Sequence, residues 1–108
     1  MLVYDTKIFE RELNQLKINL TDTHLQKFLN FYELLVETNK VMNLTAITEF
    51  DDVVEKHFLD SLSLHRVYDL DKAAKEHRTL LDLGTGAGFP GIPIKIAFPD
   101  LQVTLVDS

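Results

Sequence analysis

The chain has 108 residues, 45% of them hydrophobic and 26% charged, with a formal net charge of −6. That length admits one domain, or a small domain and the start of another, and the acidic balance argues against a free-standing grip on nucleic acid, which needs a basic face. The absence of cysteine excludes disulfides and Cys-ligated zinc; residues 1–14 carry charges throughout and no apolar run approaches spanning length, so neither a signal peptide nor a membrane partner is expected and the cytoplasm is the expected location.

Residues 1–70 read as a helical extension. A first, weaker helix carries Phe9, Leu13 and Leu16. A second is marked by Leu25, Phe28, Leu29, Tyr32, Leu35 and Val36, which fall at helical spacing and form one apolar stripe. Thr23 with Gln26 has the spacing of a capping box at its start. A third helix is predicted from about Asp52 to Val67, with Asp51 and Asp52 favouring its start through the helix dipole and Phe58, Leu62 and Leu64 as its buried positions. Residues 71–78, within the charged run 69–78, read as a connection with one helical turn.

From residue 79 the pattern changes, and 79–108 reads as the start of a second unit. Thr79 to Leu83 is a short apolar run suited to a buried parallel strand, Gly91 to Phe98 a short helix that tolerates Pro93 in its first turn, and Gln102 to Val106 a second buried strand. Pro99-Asp100 ends the helix, and a right-handed crossover places the strands side by side. The fold class is therefore α/β, with one βαβ unit behind a helical extension. One such unit does not close a domain, so the chain is expected to be the front piece of a longer protein.

The turn between strand and helix carries the chemistry. Asp82-Leu83-Gly84-Thr85-Gly86-Ala87-Gly88 fits D-x-G-x-G-x-G, and all four glycines of the chain fall within the eight positions 84–91. Glycines permit positive φ and leave bare backbone for a ligand, while the following helix offers free N–H groups and a positive dipole end. Asp107 ends the next strand, where a carboxylate can accept from both hydroxyls of a ribose. Asp82 at the first strand's tip can hold the loop or attract a cationic group. A second register competes. Gly86-Ala87-Gly88-Phe89-Pro90-Gly91 matches G-x-G-x-x-G, and Asp107 lies 21 positions after Gly86, near the spacing of about 20 found in dinucleotide sites. Three features favour S-adenosylmethionine over a dinucleotide. Asp82 would repel a pyrophosphate, Pro90 and Pro93 remove donors from the helix start, and a long helical segment precedes the loop.

A second block sharpens the reading. Asn43-Leu44-Thr45-Ala46-Ile47-Thr48 and Val53-Val54-Glu55-Lys56-His57-Phe58-Leu59-Asp60-Ser61-Leu62, taken with Gly84 to Pro93, closely resemble the RsmG family, formerly called GidB. The resemblance covers roughly residues 20 to 108. It implies the N-terminal part of a class I, Rossmann-like methyltransferase, truncated within its sheet, that uses S-adenosylmethionine to methylate N7 of a guanine in 16S rRNA, free or within the small ribosomal subunit or its precursor. By position it implies that Gly84 and Phe89 line the cofactor, that Gly86 and Gly88 shape the loop, and that Asp107 takes the ribose. The chain alone is expected to be inactive. A dinucleotide-dependent oxidoreductase fragment and a non-enzymatic helical interaction module are the alternatives.

His57, Asp60 and Ser61 share one predicted helix face. Three neighbours on one helix rarely reach the geometry of a hydrolytic triad. The expectation is a His57–Asp60 hydrogen bond bracing the helices against the loop, and a direct role near the acceptor base or the methionine end makes these two the weak catalytic candidates. Asn43 and Thr45 read as a side-chain-bonded turn. His24, His65 and His77 fit no metal spacing, so no metal is expected. Lys40, Lys56 and Arg66 are scattered in sequence. An RNA-binding parent must carry its basic residues beyond Ser108 or gather them on one face.

Overall fold

The computed structural model describes residues 4–107. Helix α1 spans Lys7–Gln15 and buries Phe9 and Leu13, one turn apart. It ends in a Schellman arrangement: Ile18 donates to the Leu13 carbonyl (2.9 Å), Lys17 donates to that of Asn14 (3.0 Å), and Lys17 takes φ 60°. Helix α2 spans Asp22–Met42 and buries Phe28, Tyr32 and Leu35 from the predicted stripe, with Leu25, Leu29 and Val36 half-buried beside them. Its cap lies two residues earlier than predicted. The Thr21 hydroxyl accepts from the His24 amide, and His24 Nδ1 accepts from the Thr21 amide (3.1 Å). The imidazole does here what a Glu or Gln does in the usual box. Thr23 is already inside the first turn, and the Gln26 amide bonds Asn30 instead.

The third helix, α3, covers 50–66 and is not uniform. Phe50–Val53 is α-helical, Val54–Leu59 widens into a π turn, Asp60–Leu62 returns to α, and Ser63–Arg66 tightens to 3₁₀. Within it Ser61 Oγ donates to the His57 carbonyl, a back-bond of the kind that bends helices. Val53, Val54, Phe58 and Leu62 are buried, whereas Leu64 is only half-buried. The predicted connection is a true helix, α4 (Leu70–Lys75), capped by Asp69 and burying Leu70, Ala73 and Ala74. It closes in a second Schellman arrangement, with His77 at φ 55°. Lys17, Asn43 and His77 hold the left-handed positions at three helix ends, and every glycine stands in the loop at 84–91.

Strands β1 (Thr79–Leu83) and β2 (Gln102–Val106) pair in parallel, from Thr79 opposite Gln102 to Leu83 opposite Val106, and helix α5 (Gly91–Ala97) crosses between them. Helix α5 and the turn after it bury Pro93, Ile94, Ala97, Phe98 and Leu101. Both strands were predicted to be buried. Only one face is covered: Leu80, Asp82, Val103 and Leu105 face α5, while Leu81, Leu83 and Val106 on the other face are 55%, 71% and 43% exposed. A parallel pair becomes fully buried only when elements pack on both faces, and residues 4–107 supply one. No helix among the described residues is long and apolar enough to cross a membrane.

Phe58 ties the two halves together. Its ring lies 5.2 Å from that of Phe28, 6.1 Å from Phe9 and 5.8 Å from Phe31, and it reaches Phe89 of the glycine loop at 6.2 Å.

Candidate functional site

The loop between β1 and α5 turns through Gly84, Gly86 and Gly88 at φ 70°, 56° and 97°. These are left-handed values that side chains rarely tolerate. The four glycines divide by purpose. A Cβ on Gly84 or Gly86 would meet nothing within 4 Å, so their backbone faces open space. A Cβ on Gly88 would lie 2.3 Å from Ile92 Cδ1, and one on Gly91 would lie 2.3 Å from Leu105 Cδ2 and 3.0 Å from Asp82 Oδ2. Gly88 and Gly91 therefore let α5 close onto its own start and onto the sheet. The amides of Gly84 (2.6 Å) and Thr85 (3.3 Å) both donate to the Val106 carbonyl, which pins the loop beside the end of β2. Asp107 follows there, exposed. The Phe89–Pro90 peptide is cis.

The helix start was predicted to present free N–H groups, and it does not. Pro90 and Pro93 have none. Gly91 donates to the buried carboxylate of Asp82 (3.0 Å), Ile92 to the Gly88 carbonyl (2.8 Å) and Ile94 to that of Pro90 (3.3 Å). Asp82 thus takes the loop-holding role, satisfying the helix end from inside the fold. The donors left lie in the middle of the loop: among the described residues, the Gly86 and Ala87 amides have no protein acceptor. Thr85 Oγ1 is likewise buried with no hydrogen-bond partner. A buried hydroxyl left unpaired is costly, and paired amides in a left-handed turn make an anion-binding concavity.

Phe89, predicted to line the cofactor, turns its ring toward the helices. It stacks on the His57 imidazole at 4.4 Å and 13° and also meets Phe31 at 5.6 Å. The predicted His57–Asp60 bond is replaced by one from across the fold: His57 Nε2 lies 3.0 Å from Thr45 Oγ1. Thr45 is held in turn, its amide donating to Asn39 Oδ1 (2.7 Å) and its hydroxyl accepting from the Ile47 amide (3.1 Å). Asn43 serves as the left-handed end of α2. Burial pushes the His57 pKa below its ordinary value, and the nearby Asp60 charge opposes that only in part. Ser61, committed to the His57 carbonyl, does not face the imidazole as a nucleophile would. Asn39 was not singled out in the sequence, where it is one more polar residue near a helix end.

His65 is engaged rather than idle. Its Nδ1 accepts from the Leu70 amide (3.1 Å), and it gathers with Asp69 and Asp71 at the surface where the chain turns into α4. The Asp69 carboxylate accepts from the Lys72 amide (3.0 Å) as the cap of α4.

Comparison with known proteins follows the same lines. The family model described as GidB, rRNA small subunit methyltransferase G, matches residues 24–108. A protein of Lachnoclostridium phytofermentans named ribosomal RNA small subunit methyltransferase G is 54% identical over 104 residues, 96% of this chain and 41% of that one. Proteins of the same name from Ligilactobacillus salivarius and Leuconostoc mesenteroides are 54% and 51% identical, each over 93% of this chain and 41% of theirs. The chain thus spans about two fifths of the length of these relatives. With a glycine loop of this sequence at the end of a parallel strand, and a match of this extent, the chain belongs to the GidB family of rRNA small subunit methyltransferases G.

Proposed function

We propose that the chain is the N-terminal part of a cytoplasmic enzyme that transfers a methyl group from S-adenosylmethionine to N7 of a guanine in 16S rRNA, within the small ribosomal subunit or its precursor. The observation that carries this reading is the division of donors in the loop. The start of α5 has no amide to offer a pyrophosphate, whereas Gly86 and Ala87 leave two amides for a smaller anion. That favours the carboxylate of a methionine moiety over a dinucleotide.

The residues fit such a donor. Gly84 and Gly86 give it bare backbone, the Gly86 and Ala87 amides would hold its carboxylate, and Asp107 would accept from its ribose hydroxyls. When bound, S-adenosylmethionine supplies a methyl group activated by the adjoining sulfonium. Guanine N7 carries a lone pair and no proton, so no residue of this chain has to act as a base. The protein's part is to align the acceptor and exclude water. His57, neutral and stacked on Phe89, serves as a fixed wall between the helices and the loop.

The test is calorimetry of the full-length protein carrying this chain, with S-adenosylhomocysteine and with NADH. Binding of the first and not the second is expected, and Gly86→Val should abolish it. A preference for NADH would overturn the reading.

A further inference from the structure

Two lysine- and arginine-bearing positions that look unrelated in sequence meet at one cavity. Lys56 and Arg66 both line an open hollow of about 640 Å³, together with His57, Asp60, Phe89 and Pro90. Neither cation has an ion-pair partner among the described residues, a state they share with Lys7, Arg11, Lys17, Lys27 and Lys75, while Lys40, Lys72 and Arg78 are paired with acids and Lys95 is bonded to the Pro99 and Leu101 carbonyls. In a chain of net charge −6 this hollow carries two such cations and one carboxylate. A second hollow of about 640 Å³, lined by Lys17, Arg66, Lys72 and Lys75 with Asp69 and Asp71, is also basic, but only the first is lined by Phe89 and Pro90 of the glycine loop. A smaller cavity between α1 and α3, about 370 Å³, makes the contrast: Asp5, Glu12, Asp51 and Glu55 line it, and it would repel a phosphate.

Lys56 and Arg66 stand ten positions apart on α3, about 15 Å along its axis, with Asp60 between them. A row of cation, carboxylate and cation matches an extended strand better than a lone phosphate. The cations meet phosphates, and the carboxylate accepts from base N–H groups, which guanine carries on its N1 and N2 edge. His57, from the same helix, and Phe89 and Pro90, from the glycine loop, add an aromatic and apolar wall. Such a wall suits the face of an unpaired base. Phe89 and Pro90 also belong to the glycine loop, so an occupant of the hollow touches the segment that holds the methyl donor.

We propose that this hollow seats a single-stranded segment of the RNA substrate, with phosphates at Lys56 and Arg66 and a base against the Phe89–Pro90 side, its N–H edge toward Asp60. The inference rests on the methyltransferase reading above and adds where the acceptor strand lies.

The test uses the full-length protein and a labelled, guanine-containing single-stranded RNA oligonucleotide, titrated by fluorescence anisotropy over a range of salt. Lys56→Gln and Arg66→Gln should each weaken binding about three- to tenfold at low salt and lower the log–log salt slope by about 0.7, the value for one phosphate contact to a single strand. Both variants should bind S-adenosylhomocysteine as the parent does. Lys27→Gln, on an exposed turn of α2 away from the hollow, should change neither quantity. Unchanged RNA affinity and slope in the Lys56→Gln/Arg66→Gln protein would overturn the inference, as would guanosine monophosphate competing as well as the oligonucleotide. Failure of the parent to bind S-adenosylhomocysteine would instead sink the methyltransferase reading, so the two failures are distinguishable.

Discussion

The helical region and the βαβ region bury their apolar residues in different ways. Phe9, Phe28, Phe58 and Leu62 are at most 2% exposed, and all four lie on the first three helices. In the βαβ unit the covered face packs on α5, while Leu81 and Leu83 on the other face are more than half exposed. Helices find cover from neighbours close in sequence, whereas a parallel strand depends on elements brought from both sides. The helical region therefore holds the larger share of the fully buried apolar residues, and the strands carry the edge at which the glycine loop opens. Phe58→Ala should show the largest effect. It removes the ring that contacts Phe9, Phe28 and Phe31 and reaches Phe89, and should cost about 3–5 kcal/mol in denaturant unfolding of the full-length protein. If S-adenosylhomocysteine affinity survives in the fraction still folded, the two regions are separable; its loss means that the loop depends on the helical core.

Asp82→Ala strikes the other side of the comparison. It strands the buried Gly91 amide, which should cost about 1–3 kcal/mol, and loosens the start of α5. Asp82→Asn keeps an acceptor oxygen and should lose less. Hydrogen exchange at the Gly91 amide should quicken in the alanine variant, with the amides of α2 unchanged. Equal quickening in both places would mean that the regions open as one unit.

A smaller effect separates two threonines. Thr21→Ala should cost about 1 kcal/mol, because the hydroxyl that caps α2 is lost, whereas Thr23→Ala should stay within about 0.5 kcal/mol. The reverse order in thermal or urea unfolding would restore the cap expected from Thr23 and Gln26.

The parts legible in the sequence are those written by local pattern. Phe28, Tyr32 and Leu35 mark a helix face because their spacing follows the helix, and the run from Leu80 into four glycines marks a strand that turns sharply. What sequence reasoning missed depends on partners far along the chain or on unusual substitutes. The bond between Thr45 and His57 spans twelve positions and crosses a loop, so no periodicity reports it. Nor does any spacing bring Lys56 and Arg66 to one hollow with Phe89. His24 in a capping box, and Lys17 and His77 in left-handed positions, stand where Glu or Gln and glycine are the usual signals. An apolar strand shows that it wants cover, but not whether the neighbouring elements are present, and so the open face of Leu81 and Leu83 could not be read from their own residues.

The smallest predicted effect falls at the seam between the two regions. Burial against Phe89 holds the His57 pKa below its ordinary value of 6.5, which means that the fold favours the neutral imidazole. The sign follows from proton linkage. Above about pH 6.5 the imidazole is neutral in the folded and unfolded chains alike, and its contribution is intact. As pH falls from there through the lower folded value, the unfolded chain takes up the proton first, and stability is lost. Because His57 is partly open to solvent, the loss should stay below about 1 kcal/mol. Urea unfolding at pH 7 and pH 5 should show a larger acid loss in the parent than in His57→Gln, accompanied by weaker S-adenosylhomocysteine binding as the stacked ring becomes charged. An equal acid loss in both proteins would place the titration elsewhere and leave His57 as packing alone.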